Sequence, residues 1–468
     1  MKQFTRILLT LALAGALLCG GALAAEDGSL TVQLDGRELT FTDAQPQMQA
    51  GRTFLPFRTL FETMGAEVSY DAETCVVTAV RGDRTITMTL GSNELTITEG
   101  DKSETVIMDV VPYVDTATWR TYVPVRFAAQ ALDCAVGWEQ SNYTVIIVDT
   151  EKLVAETLAG KSFTYLEKLM AFSEKYDKGI WDMKADMGMA MSLFGMPLLT
   201  MEGKIQGTTQ DADKLAMDVS MKLDMSGMEA MGAMASGLTG ALGIEDQTAL
   251  KALAADGMTL AVRMDRAAGT AYMNMDPTSN VWYRMDATQA AGTSLTDAMA
   301  MGKLSDMVKS LTAALGGTEL TDSSKAYPDM KAKAEALCAA LADESFQLGE
   351  NGVYTTTYSA ENGETATEFY VALAMTGETV TAYEIGVATK EEAATTTVVM
   401  GMNADGRMQM EMVQVSGGGM IASDLVMEGS YAPGTTAPNT QPPAGAEIQD
   451  MEEDADALMG LLPFSMGA

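Results

Sequence analysis

The chain has 468 residues, 64 acidic against 30 basic side chains, no histidine and a formal net charge of −34. A surface this acidic repels nucleic acid and anionic lipid headgroups, so neither is an expected partner. The missing histidine removes Ser-His-Asp and Cys-His nucleophiles and histidine-based metal sites, which leaves carboxylate pairs, Ser-Lys dyads and oxygen-ligand metals.

Lys2 and Arg6 flank the start of an apolar run, ILLTLALAGALL, that is too short for a comfortable membrane span. Ala22-Leu23-Ala24 follows as an A-x-A cleavage site. Residues 1–24 are expected to be a signal peptide, with the mature chain starting at Ala25, exported, and without a membrane span. Cys19 follows Leu18, whereas lipid-modified cysteines usually follow Gly, Ala or Ser, so soluble export is favoured over lipidation. Cys75, Cys134 and Cys338 remain, too few for a disulfide framework. Cys75 and Cys134 share a domain and could pair, or both could be buried free thiols.

Residues 28–150 contain a repeat. Arg52-Thr53-Phe54-Leu55-Pro56-Phe57-Arg58 returns as Arg120-Thr121-Tyr122-Val123-Pro124-Val125-Arg126, and TLFETMGAEVSYD is echoed by FAAQALDCAVGWE without a gap. In each copy a short extended segment ends at a proline, which fixes φ and can open a helix. Phe57, Leu60, Phe61 and Met64 then fall on one helical face, which stops at Gly65. Val68 and Tyr70 alternate into a strand, Asp71 to Thr74 turn, and CVVTAV returns. The second copy repeats this with Phe127, Ala131 and Leu132, then Val136, Trp138 and YTVIIV; the two copies are expected to pack as one domain that buries Phe57, Phe61, Tyr70, Phe127 and Trp138. The domain opens with a hairpin around Asp35-Gly36.

The order hairpin, GRTFLPFRTLFETMGAEVSYD, strands, RTYVPVRFAAQALDCAVGWE and a final strand resembles the copper amine oxidase N-terminal-like, or stalk, domain. This domain is common in secreted and cell-wall proteins of Gram-positive bacteria. The resemblance covers about 120 residues and implies a small α+β fold with no catalytic role. The oxidase chemistry itself is missing. Its copper needs three histidines, and the Asn142-Tyr143 pair is followed by Thr144, outside the Asn-Tyr-Asp/Glu setting of the quinone tyrosine.

From residue 151 to about 179 the sequence reads as a helix ended by Gly179, with Leu158, Tyr165, Leu166, Leu169 and Phe172 on one face. The period then changes to two. Trp181, Met183, Met187, Met189, Met191 and Leu193 alternate with polar residues, as do Leu215, Met217, Val219, Met221, Leu223 and Met225. The segments MTLAVRM, TAYMNMD, VWYRMD, GVYTTTYS, TEFYVALAM, VTAYEIGVA, TTTVVMGMN, RMQMEMVQV and DLVMEG continue the pattern. The implied sheet of about nine to eleven strands has one apolar face that must be covered. Helices are expected at 228–255 and at 295–345, the latter broken near Gly316-Gly317 and at Tyr327-Pro328. After residue 432 a Pro/Thr/Gly-rich linker leads into a flexible acidic tail, 433–468. The expected fold class is α+β: a duplicated stalk-type domain at 28–150, then a large antiparallel, half-barrel-like sheet covered by helices at 151–432. That second architecture resembles lipoprotein-carrier-type half-barrels, which implies a concavity able to hold an acyl chain.

Methionine is abundant, at 38 residues, and Met-x-Met-x-Met occurs at Met187-Met189-Met191 and Met408-Met410-Met412. Residues two apart on a strand share a face, so β geometry alone produces this spacing in a core. The same residues could line an adaptable apolar cavity, and Met187, Met189, Met191, Met217 and Met221 are the candidate lining. Thioethers are also soft ligands for Cu(I). The sequence therefore points to a non-catalytic extracellular or cell-envelope binding or structural protein, with no cofactor. Its expected partner is a cell-wall component or an apolar small molecule. The alternatives are a Cu(I)-binding methionine cluster and a carboxylate-dependent wall-polymer hydrolase.

Overall fold

The computed structural model describes residues 30–211, 213–230, 254–275, 279–287, 309, 312, 322–362 and 365–450. The expected signal peptide, most of the helix expected at 228–255, the Gly316-Gly317 break and residues 451–468 of the tail lie outside them. The protein is mostly β with few helices. The described residues divide into two compact units, one of 30–161 with 309, 312 and 322–339, the other of 162–287 with 340–450.

In the first unit Thr31–Leu34 and Arg37–Glu38 form the hairpin expected around Asp35-Gly36. Both turn residues have left-handed φ, 51° and 73°, as a type I′ turn requires. Each repeat copy builds the same series: strand Arg52–Pro56, helix Phe57–Thr63, strands Glu67–Asp71 and Val76–Arg81 in the first, and strand Arg120–Pro124, helix Val125–Gln130, strands Cys134–Glu139 and Thr144–Asp149 in the second. The left-handed residues recur too, Gly51 with Trp119, Gly65 with Asp133 and Cys75 with Tyr143.

The copies meet through their signature strands. Phe54, Leu55 and Pro56 pair antiparallel with Pro124, Val123 and Tyr122. Equivalent residues Leu55 and Val123 are therefore directly opposite each other, which sets a local two-fold between the copies. The signature arginines follow it: Arg52 Nε donates to Asp109 Oδ2 and Arg120 Nε to Asp43 Oδ2, both at 2.8 Å. Leu55, Leu60, Phe61, Val123, Ala128 and Ala129 are completely buried in one shared core. Helices of seven and six residues cannot stand alone in water, so each copy depends on the other for its stability.

Four features differ from the sequence reading. Tyr70, expected in the core, is 43% exposed because it ends an edge strand with a neighbour on one side only. Phe127 and Trp138 are half-buried. Between the copies, Arg84–Thr89, Glu94–Glu99 and Lys102–Ile107 extend the first copy's strands into a five-stranded meander. Of the two alternatives open for Cys75 and Cys134, a pair or two buried thiols, neither holds in full: both are free thiols, but only Cys134 is buried, beside Met64 Sδ at 3.8 Å, while Cys75 is exposed at a left-handed turn position.

The helix expected over 151–179 is two helices, Thr150–Leu158 and Thr164–Glu174, separated at left-handed Gly160. Asp149 caps the first by accepting the Lys152 amide. The helix Ser323–Leu341 runs through Pro328 without the expected break. Its part up to Ala339 belongs to the first unit. There its Ser323 amide donates to the fully buried Glu139 at 2.9 Å, and its Lys331 pairs with Glu156 at 2.5 Å. These polar anchors, which the apolar periodicity does not show, decide where the helix docks.

In the second unit one sheet has fourteen strands. From one edge it runs Gln347–Leu348, Val353–Asn362, Thr365–Thr376, Thr379–Lys390, Ala394–Asn403, Arg407–Ser416 and Ile421–Pro433. It continues with Ile180–Leu193, Met196–Gln210, Lys214–Asp224, Met258–Asp265, Thr270–Asn274, Val281–Asp286 and Glu447–Asp450. Every neighbouring pair is antiparallel except the last, which is parallel. The later strands, 347–433, are thus joined to the earlier ones through Ile421–Pro433 and Ile180–Leu193, paired over thirteen residues.

Thiol chemistry tests the first unit. Burial pushes the Cys134 thiol up to about 12, and burial likewise raises that of Cys338. Native protein should alkylate rapidly at Cys75, with Cys134 and Cys338 reacting only in denaturant. Fast labelling that survives Cys75→Ser would contradict this packing.

Candidate functional site

The period of two puts alternate side chains on opposite faces of the large sheet, and the register then decides which of them meet. On one face Met400, Met410, Met427, Met187, Gly203, Met221 and Met258 are successive partners on adjacent strands. A parallel row holds Met412, Leu425, Met189, Met201 and Leu223. Gly203 is the one gap in the methionine row, and a Cβ there would lie 2.9 Å from Met187 Cε and 3.2 Å from Met221 Cγ. The two methionines close over the glycine.

Among the described residues, helices reach this face near its two ends. Ser226–Ala230 seats Met228 with Leu198, Leu199, Met201, Leu223 and Met225 in a buried cluster. Met187, Met189, Met191 and Met221 pack against that cluster while staying half-buried. Four of the five methionines singled out in the sequence are thus brought together. Met217 shares their face but sits on another row, between Gly207 and Val262.

Towards the other end lies helix Thr164–Glu174. Its Phe172 meets Tyr383 edge-on at 5.7 Å, and Tyr176, just beyond the helix, contacts Trp181 at 4.8 Å and Tyr431 at 6.1 Å. Burial raises the Tyr176 phenol, and its hydroxyl lies 3.3 Å from the Ala404 carbonyl oxygen. Among the described residues, the helices over this face include Thr164–Glu174 and Ser226–Ala230; Ser323–Leu341, expected there, belongs up to Ala339 to the first unit.

The sequence reading missed strand Met196–Gln210, which supplies Met201 and Gly203. Its dry positions read Leu199, Met201, Gly203, Ile205 and Gly207, and the glycines erase the apolar alternation. It also could not show that Met187 and Met410 flank Met427, since register between distant strands leaves no local signal. Among the described residues no group of three or more Cys, Asp or Glu is placed to hold a metal. On the opposite face the carboxylates Asp186 and Glu428 are cross-strand partners lining an open groove of about 580 Å³.

The covering helix Thr164–Glu174 is held at its start by Asp343, which accepts from the Tyr165 amide at 3.1 Å and the Ser162 hydroxyl at 2.8 Å. Burial opposes ionisation of Asp343, but hydrogen bonds from Thr164, Tyr165 and Ser162 outweigh it and hold the carboxyl below its usual range. A lowered folded-state pKa means stability that is present above the unfolded carboxylate value and lost as pH falls through the folded one. Asp343→Ala should cost about 1 kcal/mol at neutral pH. Hydrogen exchange of the Thr164–Glu174 amides should accelerate in the variant at pH 7, with the difference from wild type shrinking in strong acid. Equal protection at pH 7 would remove Asp343 from this role.

Residues 33–147 match the family model of the copper amine oxidase N-terminal domain. A comparison with curated proteins finds no match. Among solved structures, an outer membrane lipoprotein-sorting protein domain from Vibrio parahaemolyticus aligns at 10% identity and a TM-score of 0.21, covering 57% of this chain and 93% of that one. The duplicated first unit is thus similar in sequence to the stalk-type domain, and the large sheet carries the methionine face as its most distinctive surface.

Proposed function

We propose that this chain is a non-catalytic extracellular or cell-envelope protein that binds an apolar ligand along the methionine face. One observation carries the reading. A single row of six methionines spans seven adjacent strands, and its members Met410, Met187, Met221 and Met258 are half-buried. An unbranched, polarizable side chain repeated in this way gives a surface that remoulds around a flexible hydrocarbon. The half-barrel curvature expected from the sequence would turn this face inward, and the stalk-type domain would act as a spacing or interaction module. The export signal expected at residues 1–24 and the acidic, soluble surface support an envelope location.

A second reading keeps Cu(I) as ligand. Met400, Met410, Met427 and Met187 are uninterrupted partners on four adjacent strands, and cross-strand neighbours on one face have Cβ atoms about 5 Å apart.

Titration with a fluorescent fatty acid separates the readings. Saturable binding, displaced by unlabelled fatty acid and reduced at least tenfold by Met221→Asp, is expected. A folded protein that binds no fatty acid but takes up Cu(I) under reducing conditions, with loss of uptake in Met427→Leu, would replace the apolar ligand with the metal. A folded protein that binds neither would leave the methionines as core.

A further inference from the structure

The face opposite the methionines carries a different chemistry. One row of partners runs Glu384, Gly401, Gln409, Glu428, Asp186 and Lys204 across six adjacent strands. It passes through two open grooves, of about 650 Å³ and about 580 Å³. They adjoin, because Gln409 of the first pairs with Glu428 of the second.

Tyr370 gives the first groove its character. Its cross-strand partner is Gly386, where a Cβ would lie 2.0 Å from the ring Cε1 and 2.5 Å from Cζ. The ring therefore occupies the space directly above the glycine. The phenol donates to Glu384 Oε1 at 2.6 Å, and burial together with that carboxylate raises its pKa, so the hydroxyl stays a donor and the ring stays fixed. Beside it Ala372, Ala374 and Gly401 supply little bulk, which is why the surface is recessed there. A ring held by an edge offers its electron-rich face to polarised C–H groups.

The second groove supplies hydroxyl acceptors. Asp186 and Glu428 are exposed and directly opposite each other, an arrangement that destabilises a bare sheet and that Lys204 offsets from one side only. Two carboxylates accept hydrogen bonds from neutral hydroxyls and repel a phosphate or uronate polymer. Gln409, between the grooves, adds an exposed amide that both donates and accepts.

We propose that this face binds an uncharged saccharide chain, with a sugar ring stacked on Tyr370 and hydroxyl groups held by Gln409, Glu428 and Asp186. The chain would lie across the strands, in line with the row. A pyranose has both features the surface asks for, an apolar C–H face and a rim of hydroxyls. The side chains named here lie on the opposite face of the sheet from the methionine row by register, although Met187, Met221 and Met258 also border the second groove, and the site does not rest on the apolar-ligand reading.

The test uses the full mature chain and three neutral hexasaccharides, β-1,4-linked N-acetylglucosamine, β-1,4-linked glucose and β-1,4-linked mannose, titrated by calorimetry. At least one should bind saturably. Tyr370→Ala should weaken it tenfold or more, Tyr370→Phe should keep most of the affinity, and Gln409→Ala should cost a few-fold. Met189→Asp, on the methionine face and outside the lining of both grooves, should leave saccharide binding unchanged, which separates this proposal from the fate of the methionine face. Thermal melts identify any variant that fails to fold, and the exposed Gln409 position keeps the test open if Tyr370→Ala does. Absence of binding by all three sugars, or binding indifferent to both Tyr370→Ala and Gln409→Ala, overturns the site. Bound hexamer is expected to be recovered intact. Its cleavage, abolished by Asp186→Asn or Glu428→Gln, would uphold the site and replace the non-catalytic reading.

Discussion

A side-chain period of two, kept without error through the middle of a fourteen-stranded sheet, is the constraint on which the second unit depends. A slip of one residue in Ile180–Leu193 or Lys214–Asp224 would bring Asp186, Asp218, Lys222 and Asp224 to the dry face, at several kcal/mol for each unpaired charge. The irregularities that do occur are confined to strand ends, between Met191 and Ser192 and between Ala374 and Met375. The first of them is used. The extra residue, Leu198, is 1% exposed and packs in the cluster capped by Met228. Bulges at the ends let the chain bend and turn without disturbing the register of the methionine row.

The first unit solves a different problem. Two short helices and two strand pairs offer too little apolar area for either copy, and the antiparallel meeting of Leu55 with Val123 joins the two halves into one core. The prolines that end these strands also start the helices: Pro56 and Pro124 have φ of −57° and −68° with extended ψ, so one residue closes the ladder and opens the helix. This economy explains why the signature is so short and yet so visible when it occurs twice.

That visibility sets what the sequence discloses. The repeat, the Asp35-Gly36 hairpin and most long strands of the sheet are legible, because each depends on residues close together in the chain. Three things are not. The strands at 84–107 lack a repeat partner to draw attention to them. Strand Met196–Gln210 begins beside Pro197 and carries Gly203 and Gly207 on its dry face, so its alternation fades where the opposing methionines need room. Helix Ser323–Leu341 shows an apolar stripe, but a stripe does not name its partner. Glu139, an acidic residue at the end of strand Cys134–Glu139, is buried completely and receives that helix's first amide. Of the candidate site, the face was readable and the row was not. Met410 and Met427 meet on consecutive strands, but Met187 joins them only through pairing between segments more than two hundred residues apart.

The two faces use one device for opposite ends. On the dry face Gly203 makes space for Met187 and Met221 to meet, and on the wet face Gly386 makes space for the ring of Tyr370. In both cases a glycine inside a strand, a weak choice for the strand itself, is offset by a large neighbour that crosses it. The chemistry placed there differs in kind. Thioethers on unbranched stems give a surface that adapts, while a ring tied to Glu384 gives one that does not. The charges follow the same division: carboxylates and lysines crowd the wet face and leave the methionine face without an ionised side chain along its central row. A thin layer of backbone thus separates a surface suited to hydrocarbon from one suited to hydroxyl groups, and the strict alternation of side chains keeps the two apart.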